Sequence, residues 1–122
     1  MEKWLNMSEE KNEPNIDIYQ TSRFEKSLNR LTQQEQDSVD DEIDRIIENP
    51  DLGERKKGDL NYLRVHKFYL GKQQYLLGYS WQNQKLELYL LSLGTHENYY
   101  DEQKRHRKGD LKLIGWLHEK NL

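Results

Sequence analysis

The chain has 122 residues, of which 34% are hydrophobic and 34% charged, with 19 Lys+Arg against 22 Asp+Glu. That length suits one domain with short tails, and no run of ~18 apolar residues is available to cross a membrane. The polar start Met1-Glu2-Lys3 points away from a secretory signal, and the lack of cysteine excludes disulfides, thiolate metal sites and a thiol nucleophile. A small soluble cytoplasmic protein is the expectation.

Residues 1–15 are polar and are expected to form a flexible tail in which only Trp4 and Leu5 can dock. Ile16-Asp17-Ile18-Tyr19 alternates as a short strand does. Ser22 and Glu25 stand at capping-box spacing, and Phe24, Leu28 and Leu31 fall on one helical face. Thr32 and Glu35 repeat the box, and Val39, Ile43, Ile46 and Ile47 continue the apolar stripe until Asn49-Pro50 ends it. With almost no loop between them, the two segments form an antiparallel helical hairpin. Three runs rich in Tyr, Leu and Val follow, residues 60–70, 74–81 and 85–93, with Gly71-Lys72 and Gln82-Asn83-Gln84 between them as turns. After Gly94 the period becomes helical again, and residues 109–122 are expected to form a last helix with Leu111, Ile114 and Leu117 on one side. The predicted order is β-α-α-β-β-β-α, an α+β fold with a helical hairpin packed on a twisted antiparallel sheet.

The charges are segregated along this order. Residues 33–54 hold nine carboxylates against Arg45, residues 55–72 hold six Lys or Arg against Asp59, and residues 103–112 hold five against Asp110. Two basic segments can draw a polyanion onto an acidic protein, because the local field governs encounter. A solvated surface is the plainer alternative.

In chain order, Glu48-Asn49-Pro50, Gly53, Lys57-Gly58-Asp59-Leu60, Leu63-Arg64-Val65, Tyr75-Leu76-Leu77-Gly78-Tyr79, Leu90-Leu91-Ser92-Leu93-Gly94 and Thr95-His96-Glu97-Asn98-Tyr99-Tyr100 together resemble the RelE/ParE superfamily of bacterial toxins. The resemblance spans residues 16–108. It implies the toxin of a type II toxin–antitoxin module, partnered by a cognate antitoxin protein. RelE-like members are metal-independent endoribonucleases (mRNA interferases) that cut messenger RNA on the ribosome and stop translation. ParE-like members share the fold and poison DNA gyrase. Fold alone therefore leaves an RNA-cutting toxin, a gyrase inhibitor and a non-toxic binding module open.

RNA cleavage without a metal uses the substrate's own 2′-hydroxyl as nucleophile. The protein must then supply a base, an acid for the departing 5′-oxygen, and fixed cations for the phosphoryl charge. His96, two residues past Gly94, stands where the resemblance puts a catalytic group, and imidazole suits the acid role near neutral pH. Arg64 and Lys67 are the expected phosphate clamp; strand alternation sends Arg64 and His66 to one face and Lys67 to the other, so both sets cannot cleanly serve one site. An exposed cationic strand edge that discourages aggregation is the alternative. Lys56 and Lys57 match loop lysines that touch phosphate in RNA-cleaving relatives, and Tyr99 or Tyr100 corresponds to the family's functional tyrosine. Lys104 and Arg105 would contact the RNA backbone. Glu97 and Asp101 are close enough in sequence to raise an imidazole pKa or to cap the next helix. No cofactor is expected: histidines 66, 96, 106 and 118 lack the paired spacing of a zinc site, and no phosphate-binding glycine loop is present. A peptide with an apolar helix face and acidic groups would suit the antitoxin, by covering the basic cleft or displacing the last helix.

Overall fold

Caps decide where the helices begin. In the computed structural model, which describes residues 2–3 and 15–115, the first helix α1 spans Ser22–Asn29 and its N-cap is Thr21, one residue ahead of the expected Ser22. The Thr21 hydroxyl accepts from the Phe24 amide and donates to the Leu91 carbonyl, so the cap also ties the helix to the sheet. Glu25, freed from a capping box, accepts from the Gln20 side chain. The second box forms as expected: Thr32 caps helix α2, Gln33–Glu48, with Glu35 bonded back to the Thr32 amide, and Asn49 ends it before Pro50.

Among the described residues, six strands make one sheet. They are β1 (Glu2–Lys3), β2 (Asp17–Gln20), β3 (Glu54–Arg55), β4 (Arg64–Leu70), β5 (Gln73–Gln82) and β6 (Glu87–Gly94), arranged 1-2-6-5-4-3. The sheet is mixed rather than wholly antiparallel, because β2 runs parallel to β6, with Ile18 beside Leu88 and Gln20 beside Leu90. Two very short edge strands lay outside the predicted order. Glu2 and Lys3, within the segment read as a tail, pair antiparallel with β2, and Glu54-Arg55 pairs with Val65-Arg64. The proposed docking of Trp4 and Leu5 lies outside the described residues.

The sheet is covered on both faces. On one, Phe24, Val39, Ile43 and Ile46 of the helical hairpin pack on Ile18, Phe68, Leu77, Tyr79, Leu88 and Leu90. On the other, Leu63, Val65, Leu76, Tyr89 and Leu91 meet Tyr99, Leu111 and Ile114. These last come from two short helices, α3 (Tyr99–Arg105) and α4 (Arg107–Leu113), broken at His106. The helical segment thus starts ten residues before the expected 109; Trp116 and Leu117 lie outside the described residues. Strand β6, buried on both sides along most of its length, lies inside the sheet between β2 and β5.

An ionic network fastens the C-terminal helices. Asp110, 1% exposed, takes both guanidinium nitrogens of Arg23 at 2.9 and 2.7 Å and the Gln103 amide at 2.8 Å, and Gln103 also donates to the Tyr62 hydroxyl. Helix α1, helices α3 and α4 and the segment before β4 therefore meet at one buried carboxylate. Among the described residues no helix is long and apolar enough to cross a membrane.

Candidate functional site

Register across four strands assembles a polar strip on the α3 side of the sheet. Glu54, Val65, Gly78 and Ser92 stand side by side on β3, β4, β5 and β6, and Lys67, Leu76 and Gly94 form the next row. Residues paired across strands share a face, so Glu54 and Lys67 project to the same side. Lys67 and Gly94 are separated by two strand spacings, about 10 Å between Cα atoms. His96 follows Gly94 by two residues and meets the Tyr100 ring edge-on at 5.9 Å between centroids. Over the Tyr100 ring, 5.2 Å from its centroid, sits the Lys56 ammonium, which donates to Glu54 at 2.5 Å. Glu54, Lys56, Lys67, His96 and Tyr100 thus line one continuous strip, with Glu54, Lys67 and His96 exposed and Lys56 and Tyr100 half-buried between them.

The loop that carries Glu54 and Lys56 is held from beneath. The Tyr79 hydroxyl donates to the Pro50 carbonyl and accepts from the Gly53 amide, at 2.7 and 2.8 Å. A side chain at Gly53 would strike the Tyr79 ring, which accounts for a glycine there. Arg64 completes the clamp by donating to the Gly53 and Asp51 carbonyls and pairing with the Asp51 carboxylate at 3.1 Å.

A β-bulge shapes the other end of the strip. Gly78 pairs with Ser92 and Tyr79 with Leu90, leaving Leu91 as the extra residue, so both Leu91 and Ser92 address the α3 side. The Ser92 hydroxyl then shares a 2.6 Å hydrogen bond with the Tyr99 hydroxyl. A methyl group at Gly78 would overlap both oxygens. Tyr99, 5% exposed, is thereby fixed in the core, and burial raises its phenol pKa. Its ring packs edge-on against Tyr100 at 5.1 Å and so sets the position of that half-buried neighbour.

The sequence profile described as "ParE-like toxin of type II bacterial toxin-antitoxin system" matches residues 18–104, more than half of the chain. The chain belongs to this family of toxins. No curated protein sequence matches it. Among solved structures, it is similar to a double arginine-to-alanine mutant of the E. coli toxin RelE in the free state, at 20% identity over 72% of this chain and 94% of that one, with a TM-score of 0.56. The isolated E. coli RelE toxin matches at 20% identity over 72% and 95%, with a TM-score of 0.52. The intact E. coli RelBE toxin–antitoxin complex matches at 18% over 64% and 93%, with a TM-score of 0.53. At these identities the structural likeness speaks for the fold, which is that of RelE.

In this ParE-like toxin the candidate residues named from sequence divide by location. Lys56, Lys67, His96 and Tyr100 share the strip. Lys104 stands one helical turn beyond Tyr100, on the same side of α3, and is exposed. Arg105 is turned aside and paired with Glu102, and Lys57 is exposed in the loop after β3. Arg64 and His66 lie on the opposite face of the sheet: Arg64 clamps the 51–53 loop, and His66, 8% exposed, bonds Glu42 of α2 at 2.7 Å. Their distance from the strip follows from the alternation of β4, with no bulge in that strand to bring them round.

Glu54 is a site residue that no sequence pattern singles out. It ends the acidic run of residues 33–54, but the chain turns at Gly53 and carries it to the cationic face. The hydrogen bond from Lys56, then its charge, holds the Glu54 carboxyl below the usual carboxylate range, with Lys67 and Lys57 adding to the effect. Lys56 is in turn raised above the usual lysine range, first by Glu54 and then by Tyr100, against partial desolvation. Among the described residues no three His, Asp or Glu side chains gather as a metal-binding group.

Proposed function

We propose that this toxin is a metal-independent endoribonuclease that cleaves messenger RNA, on the ribosome, by attack of a 2′-hydroxyl on the adjacent phosphate. The observation that supports this reading is the shared strip: a carboxylate and an ammonium group on two neighbouring rows of one sheet face, with a second ammonium, an imidazole and a phenol beside them. Glu54 takes the proton of the 2′-hydroxyl and the oxygen attacks phosphorus. Lys56 and Lys67 hold the non-bridging oxygens as charge builds on them. His96, protonated, gives its proton to the departing 5′-oxygen, and Tyr100 orients the phosphate. The products are a 2′,3′-cyclic phosphate and a 5′-hydroxyl. Arg64 acts from the far face as a positioning residue for the Glu54–Lys56 loop.

A cognate antitoxin is part of this proposal, since a structural relative is a complex of toxin with antitoxin. The description of the matching family as ParE-like favours one other reading, inhibition of DNA gyrase with no RNA cleavage. Induced expression of the wild type, His96→Ala and Glu54→Gln, with RNA ends mapped by primer extension, separates the two. The nuclease reading predicts discrete new ends in the wild type and a loss of 10²-fold or more in both variants. An SOS response over intact RNA, unchanged in both variants, supports gyrase inhibition instead.

A further inference from the structure

Behind the loop that presents His96 lies a second cleft, of about 400 Å³, between α1, the end of β6 and α3. Thr95 and Glu97 line it, whereas His96 between them turns to Tyr100 on the other side. Its two walls carry opposite charge. Lys26 and Arg30, one helical turn apart at the end of α1, face Glu97 and Glu102. Arg23, also in this wall, is committed to Asp110. Lys26 and Arg30 are exposed and, among the described residues, have no ion-pair or hydrogen-bond partner.

We propose that this cleft is the subsite for the nucleotide next to the scissile phosphate, an inference that rests on the nuclease reading above. Lys26 and Arg30 hold the neighbouring phosphate, and Glu97 accepts from the amino group of its base, Glu102 being paired with Arg105. Thr95 and Glu97, which line the cleft, flank His96 in the chain, so the cleft lies on the neighbouring side of the same loop as a strand held at His96. The charge pattern suits a nucleotide better than an acidic peptide. A peptide carboxylate attracted by Lys26 would meet Glu97 and Glu102 across the cleft, whereas a nucleotide carries its negative charge at one end and hydrogen-bond donors at the other. Carboxylates accept from exocyclic amino groups, so adenine, cytosine or guanine is favoured here over uracil, whose corresponding edge offers acceptor oxygens.

The test measures fluorescence anisotropy of the purified toxin with 2′-O-methyl oligonucleotides, a dinucleotide spanning the scissile phosphate and a hexanucleotide extending past it. Lys26→Ala/Arg30→Ala is expected to weaken the hexanucleotide about tenfold and to reduce its salt slope by roughly 0.7, the value of one phosphate contact, with the dinucleotide unchanged. Lys56→Ala/Lys67→Ala is expected to weaken both ligands. If Lys56→Ala/Lys67→Ala weakens both while Lys26→Ala/Arg30→Ala leaves the hexanucleotide unchanged, or acts equally on both lengths, the subsite is overturned and the nuclease reading stands. If the wild type binds neither ligand, or Lys56→Ala/Lys67→Ala has no effect, both ideas fall together. Loss of antitoxin binding in Lys26→Ala/Arg30→Ala, with RNA affinity intact, makes the cleft a protein-docking surface and overturns the proposal.

Discussion

Glu54 and Lys56 form a pair whose partners move each other's titration apart: the carboxyl is lowered by its lysine and the ammonium raised by its carboxylate. The sign of each effect sets its pH window. A depressed carboxyl contributes above its unfolded-state pKa and loses that contribution as pH falls through the folded value. A raised lysine contributes below its unfolded value and loses it as pH climbs through the folded one. The pair is therefore charged on both sides throughout the neutral range, and it presents an ionised acceptor beside a full positive charge. NMR titration of the Glu54 side chain is expected to show a midpoint below that of an ordinary glutamate, returning toward it in Lys56→Ala. Equal midpoints in the two proteins would contradict the pairing. The same scale explains the division between the two tyrosines. Neighbours in sequence on a helix point about 100° apart, so one of them had to turn inward; Ser92 and the absence of a side chain at Gly78 settle that it is Tyr99.

Elements with local signals were legible in the sequence and those decided by distant partners were not. The Thr32–Glu35 box, the apolar stripe of α2 and the stop at Asn49-Pro50 depend on residues a few positions apart, and they appear as read. The cap of α1 slipped by one because Thr21 has a second bond, to the Leu91 carbonyl 70 residues away, which no local pattern reveals. The parallel pairing of β2 with β6, the two-residue strands β1 and β3, and the early start of the C-terminal helices are likewise products of tertiary packing. Much of the strip was legible as residue types, since Lys56, Lys67, His96 and Tyr100 were all named. Their convergence, the exclusion of Arg64 and His66, and the arrival of Glu54 required the register of four strands. At this scale the Arg23–Asp110 pair carries a stability prediction. Asp110→Asn removes the charge that the guanidinium faces in a nearly dry site, so it is expected to lower unfolding stability by about 2–4 kcal/mol in urea denaturation. The figure is set below the ~3–5 kcal/mol of a fully buried pair because Arg23 keeps a quarter of its side chain exposed. A loss below about 0.5 kcal/mol would show that the apolar contacts of Leu111 and Ile114 hold these helices without the pair.

For the molecule as a whole, an overall charge of −3 conceals two differently charged sides. The carboxylates of α2 crowd its outer surface, where partial burial, then repulsion from Asp37, Asp44 and Asp41, raises the Asp40 pKa. The lysines of β4 and the 56–57 loop occupy the opposite layer, beside α3. Such a separation steers a polyanion to one face and repels it from the other. The nuclease activity proposed for this face relies on the substrate's own 2′-hydroxyl. Its most direct test is the chemistry of the product ends, read on RNA cut by the purified toxin on programmed ribosomes, with a matched substrate carrying a single 2′-deoxy nucleotide at the cut site. A 2′,3′-cyclic phosphate and a 5′-hydroxyl are expected, with no cleavage of the 2′-deoxy substrate; 3′-hydroxyl ends, or equal cutting of both substrates, would overturn the proposed chemistry.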